Sequence, residues 1–308
     1  METKKNDEKI QNEATISALN TEKHPKKLSG IFYILLSAFF FSVMSLFVRL
    51  SGDLPTFQKC FFRNFVAAIA AFFVLLKNKN FKIQKGNLPA LLARSIVGTM
   101  GIICNFYAID HMNISDASIL NKLAPFFTII FSILILKEKA SLIEWILVFA
   151  AFAGAVFVAK PTFNFSQSLP ALVGVLGGLT AGLAYTFVRY LGNKGERGAM
   201  IVFFFSVFSS LTVLPLAIFQ WQPMEVWQVV YLLLAGCAAS GAQFSLTAAY
   251  KYAPAKEISV YDYSQVLFTA LWGMIFLTEF PDFWSLIGYA IIIGAAVLKY
   301  LVTKKKQA

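Results

Sequence analysis

Long apolar segments separated by short polar connections make up the chain from residue 30 almost to its C-terminus. Each segment has close to the roughly 20 residues that a helix needs to cross a hydrocarbon core about 30 Å thick. The pattern predicts an all-α integral membrane protein with ten transmembrane helices. The predicted spans are Gly30 to Leu50, Phe57 to Leu76, Leu88 to Ile109, Ala117 to Leu136, Leu142 to Ala159, Leu169 to Leu191, Ala199 to Phe219, Val226 to Tyr250, Ile258 to Leu277 and Phe283 to Leu301.

Positive charge is concentrated in every second connection, and this alternation predicts the orientation of the chain. Short cytoplasmic loops retain Lys and Arg. The alternate connections are poor in positive charge and carry only Arg49, Lys59 and Lys160. We therefore expect both termini to be cytoplasmic, in a multi-pass protein of the bacterial cytoplasmic membrane. The rich connections carry Lys26, Lys27, Lys77, Lys79, Lys82, Lys85, Lys137, Lys139, Lys194, Arg197, Lys251, Lys256, Lys304, Lys305 and Lys306.

An internal duplication divides the spans into two sets of five. Phe47-Val48-Arg49 recurs as Phe187-Val188-Arg189, and Glu138 after the fourth span corresponds to Glu279 after the ninth. Because five is an odd number of crossings, the second copy enters the membrane from the opposite side, so the repeats are inverted. The predicted domains are a disordered cytoplasmic tail at residues 1–29, five-helix repeats at residues 30–160 and 161–303, and a basic tail at residues 304–308.

Composition supports a membrane protein and narrows its partners. Of the 308 residues, 58% are hydrophobic and 14% are charged, about half the charged fraction of an average soluble domain. The net charge of +11 comes mainly from the loops, so it indicates contact with anionic lipid rather than nucleic acid. Cys60, Cys104 and Cys237 are scattered, which suggests neither a disulfide framework nor a metal site.

Polar residues within spans four and nine are the main candidates for a site. A charged side chain in a spanning helix costs about 2.5 to 3.5 kcal/mol on insertion scales, so it needs a partner or a watery cavity. Asn121 and Lys122 lie on a polar stripe of helix four, and Tyr261, Asp262 and Gln265 form a similar stripe on helix nine. If the two helices meet, Lys122 and Asp262 can pair. The alternative is that each snorkels to the nearer interface.

Other intramembrane polar and aromatic residues extend this candidate site. Arg63 can reach an anionic group of a substrate or tie helix two to backbone carbonyls, whereas Arg94 is expected to be an interfacial anchor. Tyr185 and Gln243 can line the cavity or serve as hydrogen bonds between helices. Trp272, on the Tyr261 face of helix nine, is a candidate for stacking on a ring-bearing substrate.

Two further features are expected to act on packing or gating. Gly174, Gly178 and Gly182 recur at intervals of four in helix six and predict a close helix contact. Arg49 ends the first helix on the side that is poor in positive charge. Its retention is compatible with duplication alone or with a gate contact. Glu279 is expected to cap a helix or tether a loop.

Several short motifs occur in a fixed order over the ten predicted helices. They are Phe61-Phe62-Arg63, Ala124-Pro125-Phe126, Lys137-Glu138-Lys139, Tyr261-Asp262-Tyr263-Ser264-Gln265 and Thr278-Glu279-Phe280-Pro281. In this order, they resemble the EamA-type members of the drug/metabolite transporter superfamily. The resemblance implies alternating access around a central cavity, with cargo ranging from amino acids to vitamins.

The expected function is therefore secondary transport of a small polar organic metabolite, such as an amino acid, nucleoside, S-adenosylmethionine or vitamin. A channel or facilitator and a membrane-embedded enzyme are the alternatives, although the only histidines are His24 and His111 and no HExxH segment is present. We expect no catalytic residues, metal or cofactor. The expected partners are a small-molecule substrate and the bilayer, and a homodimer is compatible with the sequence. Substrate identity, direction and coupling stay open.

Overall fold

The described part of the protein is a bundle of helices. The computed structural model describes residues 29–77, 79, 81–136, 142–159, 165–252 and 259–305. Every regular element in these ranges is helical. The elements are α1 (Ser29–Leu50), α2 (Thr56–Lys77), α3 (Leu88–His111), α4 (Ile114–Asn121), α5 (Ala124–Leu136), α6 (Leu142–Ala159), α7 (Phe165–Asn193), α8 (Gly198–Phe219), α9 (Val226–Tyr252), a 3-10 helix (Ser259–Tyr263), α10 (Ser264–Phe276) and α11 (Phe283–Lys305).

The helices confirm the predicted all-α membrane architecture. Eight of them, counting α4 and α5 together, are long and apolar enough to cross a membrane. The fifth span is α6, which contains the shorter apolar segment Trp145–Val158. Of the predicted features, the N-terminal tail and the loops with Glu138, Lys160 and Lys256 lie outside the described residues.

Helix four is interrupted, although the sequence predicted one continuous span from Ala117 to Leu136. Pro125 has no backbone N–H, so the carbonyl of Asn121 loses its helical donor. The amide of Phe126 then bonds to Leu123 O at 2.9 Å instead of the carbonyl of Lys122. α4 therefore ends at Asn121 and α5 begins at Ala124.

Helix nine also departs from its predicted form. The span from Ile258 to Leu277 was expected to be one α-helix, but its described part begins with the 3-10 helix and becomes α-helical only at Ser264. A 3-10 helix turns about 120° per residue, against 100° in an α-helix. The polar stripe of helix nine is therefore rotated in its first turn relative to the rest.

Contacts between helices follow a two-fold relation between the halves. α2 packs against its repeat mate α8, α6 against its mate α11, and α4 against its mate α10. A contact between two helices that are not mates recurs between their mates: α2 packs on α9, and their mates α8 and α3 also pack on each other. This is the pattern that an inverted duplication produces, because a two-fold axis exchanges the halves.

Helix four contributes to the two largest buried apolar clusters of the described residues. One cluster joins α4, α5, α6, α10 and α11, including Leu123, Ala151 and Ile292. The other joins α1 to α4 with α8 and α9, including Val48 and Ala239. The two clusters meet within α4, between Ala117 and Ile119, and the first continues across the interruption through Leu123 and Phe126.

The glycines of α7 form the predicted close contact with helix four. A methyl group added to Gly178 would lie 2.7 Å from the carbonyl oxygen of Leu120. One added to Gly182 would lie 2.7 Å from both the Ala124 oxygen and the Phe127 Cβ. α7 therefore lies against the backbone of both segments of helix four. The hydroxyl of Thr128 adds a 3.1 Å hydrogen bond to the Gly182 carbonyl.

We expect the substitution Gly182→Ala to destabilise the protein by about 1 to 3 kcal/mol, because the added methyl overpacks the contact. Gly192→Ala in the same helix is the control, since nothing lies within 4 Å of its added methyl and alanine favours the helix by about 1 kcal/mol. Thermal unfolding in one detergent measures both. A Gly182→Ala protein as stable as wild type would contradict the close contact.

Candidate functional site

A salt bridge between the two halves lies at the interruption of helix four. Lys122 follows the last residue of α4, and its Nζ lies 2.5 Å from Oδ2 of Asp262. Only 9% and 16% of the two side chains are exposed. The neighbouring Tyr263 hydroxyl donates a 2.9 Å hydrogen bond to the Lys122 carbonyl, which the interruption leaves without a helical donor. Both the charge and the backbone of Lys122 are thus held by consecutive residues of helix nine.

The salt bridge does not use all of the capacity of Asp262. Its second oxygen, Oδ1, is buried and has no hydrogen-bond partner in the part of the chain that the structure describes, and the same holds for the hydroxyl of Ser264. A carboxylate is an acceptor with two oxygens, and leaving one buried and unpaired is costly. Asp262 therefore retains an acceptor that a cationic or hydroxyl group of a ligand can use.

Several of the predicted site residues lie around this pair. Asn121 is the half-buried residue preceding Lys122, and Gln265 is buried in the first turn of α10. Tyr185 of α7 lies within electrostatic range of Asp262. Tyr185 and Tyr261 both pack against one small apolar cluster formed by α1 and α9. Gln243 is half-buried on α9, three residues before a member of that cluster.

Trp272 has a different environment from these residues. It lies ten residues beyond Asp262, which is about 15 Å along a helix axis. Its indole N–H donates a 2.9 Å hydrogen bond to the Ser42 hydroxyl, and its ring meets Phe39 edge-on at 6.1 Å. Trp272 thus ties α10 to α1, and its predicted stacking on a substrate stays a prediction.

Two arginines are buried between α2, α3 and α8. Arg63 is 2% exposed and Arg94 is 5% exposed, so Arg94 is not the interfacial anchor that the sequence suggested. Their guanidinium carbons lie 5.8 and 3.6 Å from the centroid of the same Phe205 ring. The only sequence signal for Arg94 was its position, six residues after the start of α3. That position does not reveal burial, because the side chain is covered by the Phe205 ring of α8, which is distant in sequence.

The charges of these arginines are not balanced by nearby carboxylates. Within the described residues, neither arginine takes part in a salt bridge, and Nε of both and Nη1 of Arg94 have no hydrogen-bond partner. Two like charges within about 10 Å repel by roughly 2 kcal/mol at an effective dielectric constant near 20. Tyr185 lies within electrostatic range of both arginines and of Asp262, so the arginines and the salt bridge share a neighbour.

The face of the bundle where α1 ends is closed by a second set of contacts between the halves. We call it the distal face, and the face with the Lys-rich loops the basic face. Arg49 pairs with Glu279 at 3.0 Å and donates to the carbonyls of Ile109 and Asp110. The other oxygen of Glu279 accepts the amide of Ile114 at 2.9 Å. Glu279 thus caps α4 and tethers its own loop, as expected.

The side chains of the candidate site offer hydrogen bonds and charge. No group of three or more His, Cys, Asp or Glu residues in the part of the chain that the structure describes is arranged to hold a metal ion. The chemistry offered by the site is instead hydrogen bonding and charge: a salt bridge with a spare acceptor, and two guanidinium groups with spare donors.

Comparison with known proteins agrees with this architecture. Residues 28–160 and residues 168–301 each match the EamA-like transporter family. The pseudopaline exporter CntI of Pseudomonas aeruginosa is 31% identical, over 87% of this chain and 95% of its own length. An uncharacterized transporter of Helicobacter pylori is 27% identical, over 91% and 97% of the two chains. Human solute carrier family 35 member G1 is also 27% identical, over 92% and 85%.

Similarity to solved structures adds the fold. One crystal structure covers 91% of this chain and 99% of its own, with a TM-score of 0.67 at 14% sequence identity. The family and its named relatives are transporters rather than enzymes, which removes the membrane-embedded enzyme as an alternative. Two matching five-helix units and a relative above 30% identity confirm the predicted resemblance: the chain is a multi-pass membrane protein that belongs to the EamA-like transporter family.

Proposed function

We propose that this protein is a secondary transporter that moves a small polar organic metabolite across the cytoplasmic membrane by alternating access. The observation that carries the proposal is the salt bridge of Lys122 with Asp262, which joins the two halves where both central helices depart from α-helical form. Interrupted helices at the interface of inverted repeats are where transporters bind their cargo. Asn121, Tyr261, Gln265, Tyr185 and Gln243 are the proposed neighbours, and Trp272 is an outlying candidate.

The salt bridge gives the substrate a way to change the contact between the halves. A buried pair is stable only while each charge keeps its partner. A substrate that supplies a cationic group to Asp262 or an anionic group to Lys122 replaces part of that pairing. The halves can then move relative to each other without exposing an uncompensated charge to the hydrocarbon core. Such coupling requires no titrating group, so exchange of one metabolite for another is compatible with it.

The contacts of Glu279 support a gate on the distal face. They join α1, the start of α4 and the loop after α10, which belong to different halves. Lys59 adds a 2.6 Å salt bridge to Asp110, the residue whose carbonyl accepts from Arg49. For cargo to leave on this face, Glu279 must separate from Arg49 or from the amide of Ile114.

Orientation and direction are part of the proposal. Lys77, Lys79 and Lys194 lie in connections of the basic face, which favours a cytoplasmic position for that face and for both termini. We propose efflux, because one relative that aligns over 95% of its length is named as the pseudopaline exporter. On this proposal, the distal face is the exit side.

The decisive experiment combines a ligand screen with transport in liposomes. Purified protein is screened by thermal shift against amino acids, nucleosides, S-adenosylmethionine and flavins. A ligand at 100 times its dissociation constant stabilises the folded protein by about 2.7 kcal/mol. We expect the stabilising ligand to show counterflow when liposomes are preloaded with it, and Lys122→Ala and Asp262→Ala to lose both signals. Counterflow requires a carrier, so it separates this mechanism from a channel.

The controls for this screen remove the same charges from exposed positions. Lys194→Ala and Glu225→Ala are suitable, because both residues are exposed and Glu225 forms hydrogen bonds with Trp227 and Gln228 of its own segment. Both controls should keep binding and counterflow. Folded wild-type protein that shows no counterflow with any compound of the panel would argue against the proposed function.

A double-mutant cycle tests the salt bridge itself. Removing one partner leaves the other buried and uncompensated, so Lys122→Ala and Asp262→Ala should each cost about 3 to 5 kcal/mol of unfolding free energy. The double variant should cost less than the sum of the two, because no lone charge remains. Reversible unfolding in mixed micelles measures the four proteins. Strict additivity would show that the two charges are not coupled.

Hydrogen exchange tests the gate at Glu279. We expect Glu279→Ala to speed exchange of the Ile114 amide by about tenfold or more, because a hydrogen bond to a charged group contributes about 1.5 to 3 kcal/mol. Mass spectrometry of the peptide that covers residues 113–121 provides the measurement. Glu225→Ala, another loop glutamate of the same face, should leave this peptide unchanged. Equal exchange in the Glu279→Ala and wild-type proteins would rule out the cap and the gate built on it.

A further inference from the structure

We propose that Arg63 and Arg94, held against the ring of Phe205, form a subsite for an oxyanion of the transported molecule, either a carboxylate or a phosphate. The identity of the ligand as cargo rests on the proposed transport function. The subsite itself is defined by the two guanidinium groups and extends the candidate site away from the salt bridge. It specifies the substrate class as a molecule with at least one permanent negative charge.

Burial without neutralisation is the first observation behind this subsite. Arg63 and Arg94 are almost fully enclosed, yet neither forms a salt bridge with any carboxylate of the described residues. Three of their nitrogen donors, namely Nε of both and Nη1 of Arg94, are shielded from solvent and have no hydrogen-bond partner among the described residues. Buried charges in proteins are normally paired. An anion from outside the described residues can pair with these donors.

The surroundings position the arginines without cancelling their charge. Nη1 of Arg63 donates to the side-chain oxygen of Asn64 at 2.5 Å, and the Asn64 amide donates to the Ser209 hydroxyl at 2.8 Å. Arg94 lies directly over the face of Phe205, at 3.6 Å from the ring centroid. Neutral amide, hydroxyl and aromatic groups orient a guanidinium, and the planar edge of the guanidinium matches carboxylate and phosphate oxygens.

The arrangement of charges predicts a polarity for the bound molecule. Tyr185 of α7 is within electrostatic range of Arg63, Arg94 and Asp262. Within the described ranges, Asp262 has an unpaired acceptor and the arginines have unpaired donors. A molecule with a cationic or hydroxyl group at one end and an oxyanion at the other satisfies both. An amphoteric acid therefore fits this site better than a neutral nucleoside or a simple cation.

A purely structural role for the arginines makes the opposite prediction for stability. A structural arginine contributes through its bonds, so its removal destabilises the protein. An arginine held for a ligand is an uncompensated buried charge before the ligand binds. Replacing Arg94 by methionine, which has a similar length and can pack on Phe205, should then leave the ligand-free protein at least as stable as wild type.

The experiment measures thermal unfolding of the full chain in neutral detergent with succinate or inorganic phosphate, against chloride at matched ionic strength. We expect at least one of the two oxyanions to stabilise wild type in a saturable manner. Arg94→Met and Arg63→Met should weaken its apparent affinity at least about tenfold, as expected for the loss of a charge-assisted bond. The apparent affinity of Arg94→Lys should lie between those of wild type and Arg94→Met, because lysine keeps the charge and lacks the planar edge.

Arg189→Gln is the matched control, because it removes an exposed arginine of α7 and should retain the full oxyanion response. The proposal is overturned if neither oxyanion stabilises wild type beyond chloride, or if Arg94→Met and Arg63→Met respond as wild type does. Nanodiscs with and without phosphatidylglycerol test a lipid headgroup as occupant. Loss of the succinate and phosphate response only when that lipid is present would overturn the assignment to cargo.

Failure of this proposal is distinguishable from failure of transport. Suppose that counterflow occurs and that Arg63→Met and Arg94→Met leave its half-saturating concentration unchanged. The transport function is then supported, and the oxyanion subsite is ruled out. If wild type gives no counterflow but the oxyanion response depends on both arginines, the subsite stands and the cargo assignment falls. An increase of at least tenfold in half-saturating concentration for an anionic substrate, in both variants, supports the two together.

Discussion

The hydrogen-bonding requirement of one backbone carbonyl sets the geometry of the candidate site. Inside a bilayer, water does not satisfy exposed peptide groups, so a helix interrupted there must find donors within the protein. Pro125 interrupts helix four and leaves the carbonyl of Lys122 without its helical donor. The hydroxyl of Tyr263 supplies the missing hydrogen bond. Because Tyr263 follows Asp262 directly, satisfying that carbonyl also brings a carboxylate to the Lys122 ammonium group.

The two-fold relation explains why this contact forms at the centre of the bundle. Lys122 and Tyr263 are 141 positions apart, the same offset that relates Glu138 to Glu279, so they are equivalent in the two repeats. Equivalent residues touch each other only on or near the axis that exchanges the halves. The packing of α4 on α10 places this axis between helices four and nine. The glycine face of α7 then allows close approach to helix four on either side of its interruption.

Sequence predicted the fold well because bilayer thickness, loop charge and duplication act on whole segments. It did not predict the interruption of helix four, although Pro125 was visible, since hydropathy does not record which donors a carbonyl keeps. The 3-10 start of helix nine has no comparable signal. Over four residues it changes the angular register by about 80° relative to an α-helix. Tyr261 nevertheless packs on the small cluster that includes Ile34 of α1, and Trp272 lies against Ser42 of the same helix.

Among the charged residues, sequence identified those marked by a local property and misjudged the one whose burial depends on distant packing. Lys122 and Asp262 were identified from their cost in hydrocarbon, which is a local property. Arg94 was assigned to the interface from its distance to the nearer helix end, but its burial depends on Phe205, more than a hundred positions away. Depth along one helix does not give depth within a bundle. Sequence therefore locates a charged residue in the membrane, and packing decides whether it reaches the interface or stays inside.

Divergence of the repeats at the axis follows from electrostatics. In a perfectly symmetric pair of halves, a residue on the axis faces a copy of itself, so a lysine there would meet a second lysine and both would repel. The first repeat has Asn121-Lys122, whereas the second has Asp262-Tyr263. This difference replaces a repelling pair by one cation, one carboxylate and a hydroxyl that donates a hydrogen bond to the Lys122 carbonyl. A fused duplication permits this arrangement, and a symmetric dimer of identical chains does not. The asymmetry also gives the site a positive and a negative end, which a zwitterionic or amphoteric molecule needs in order to bind in one orientation.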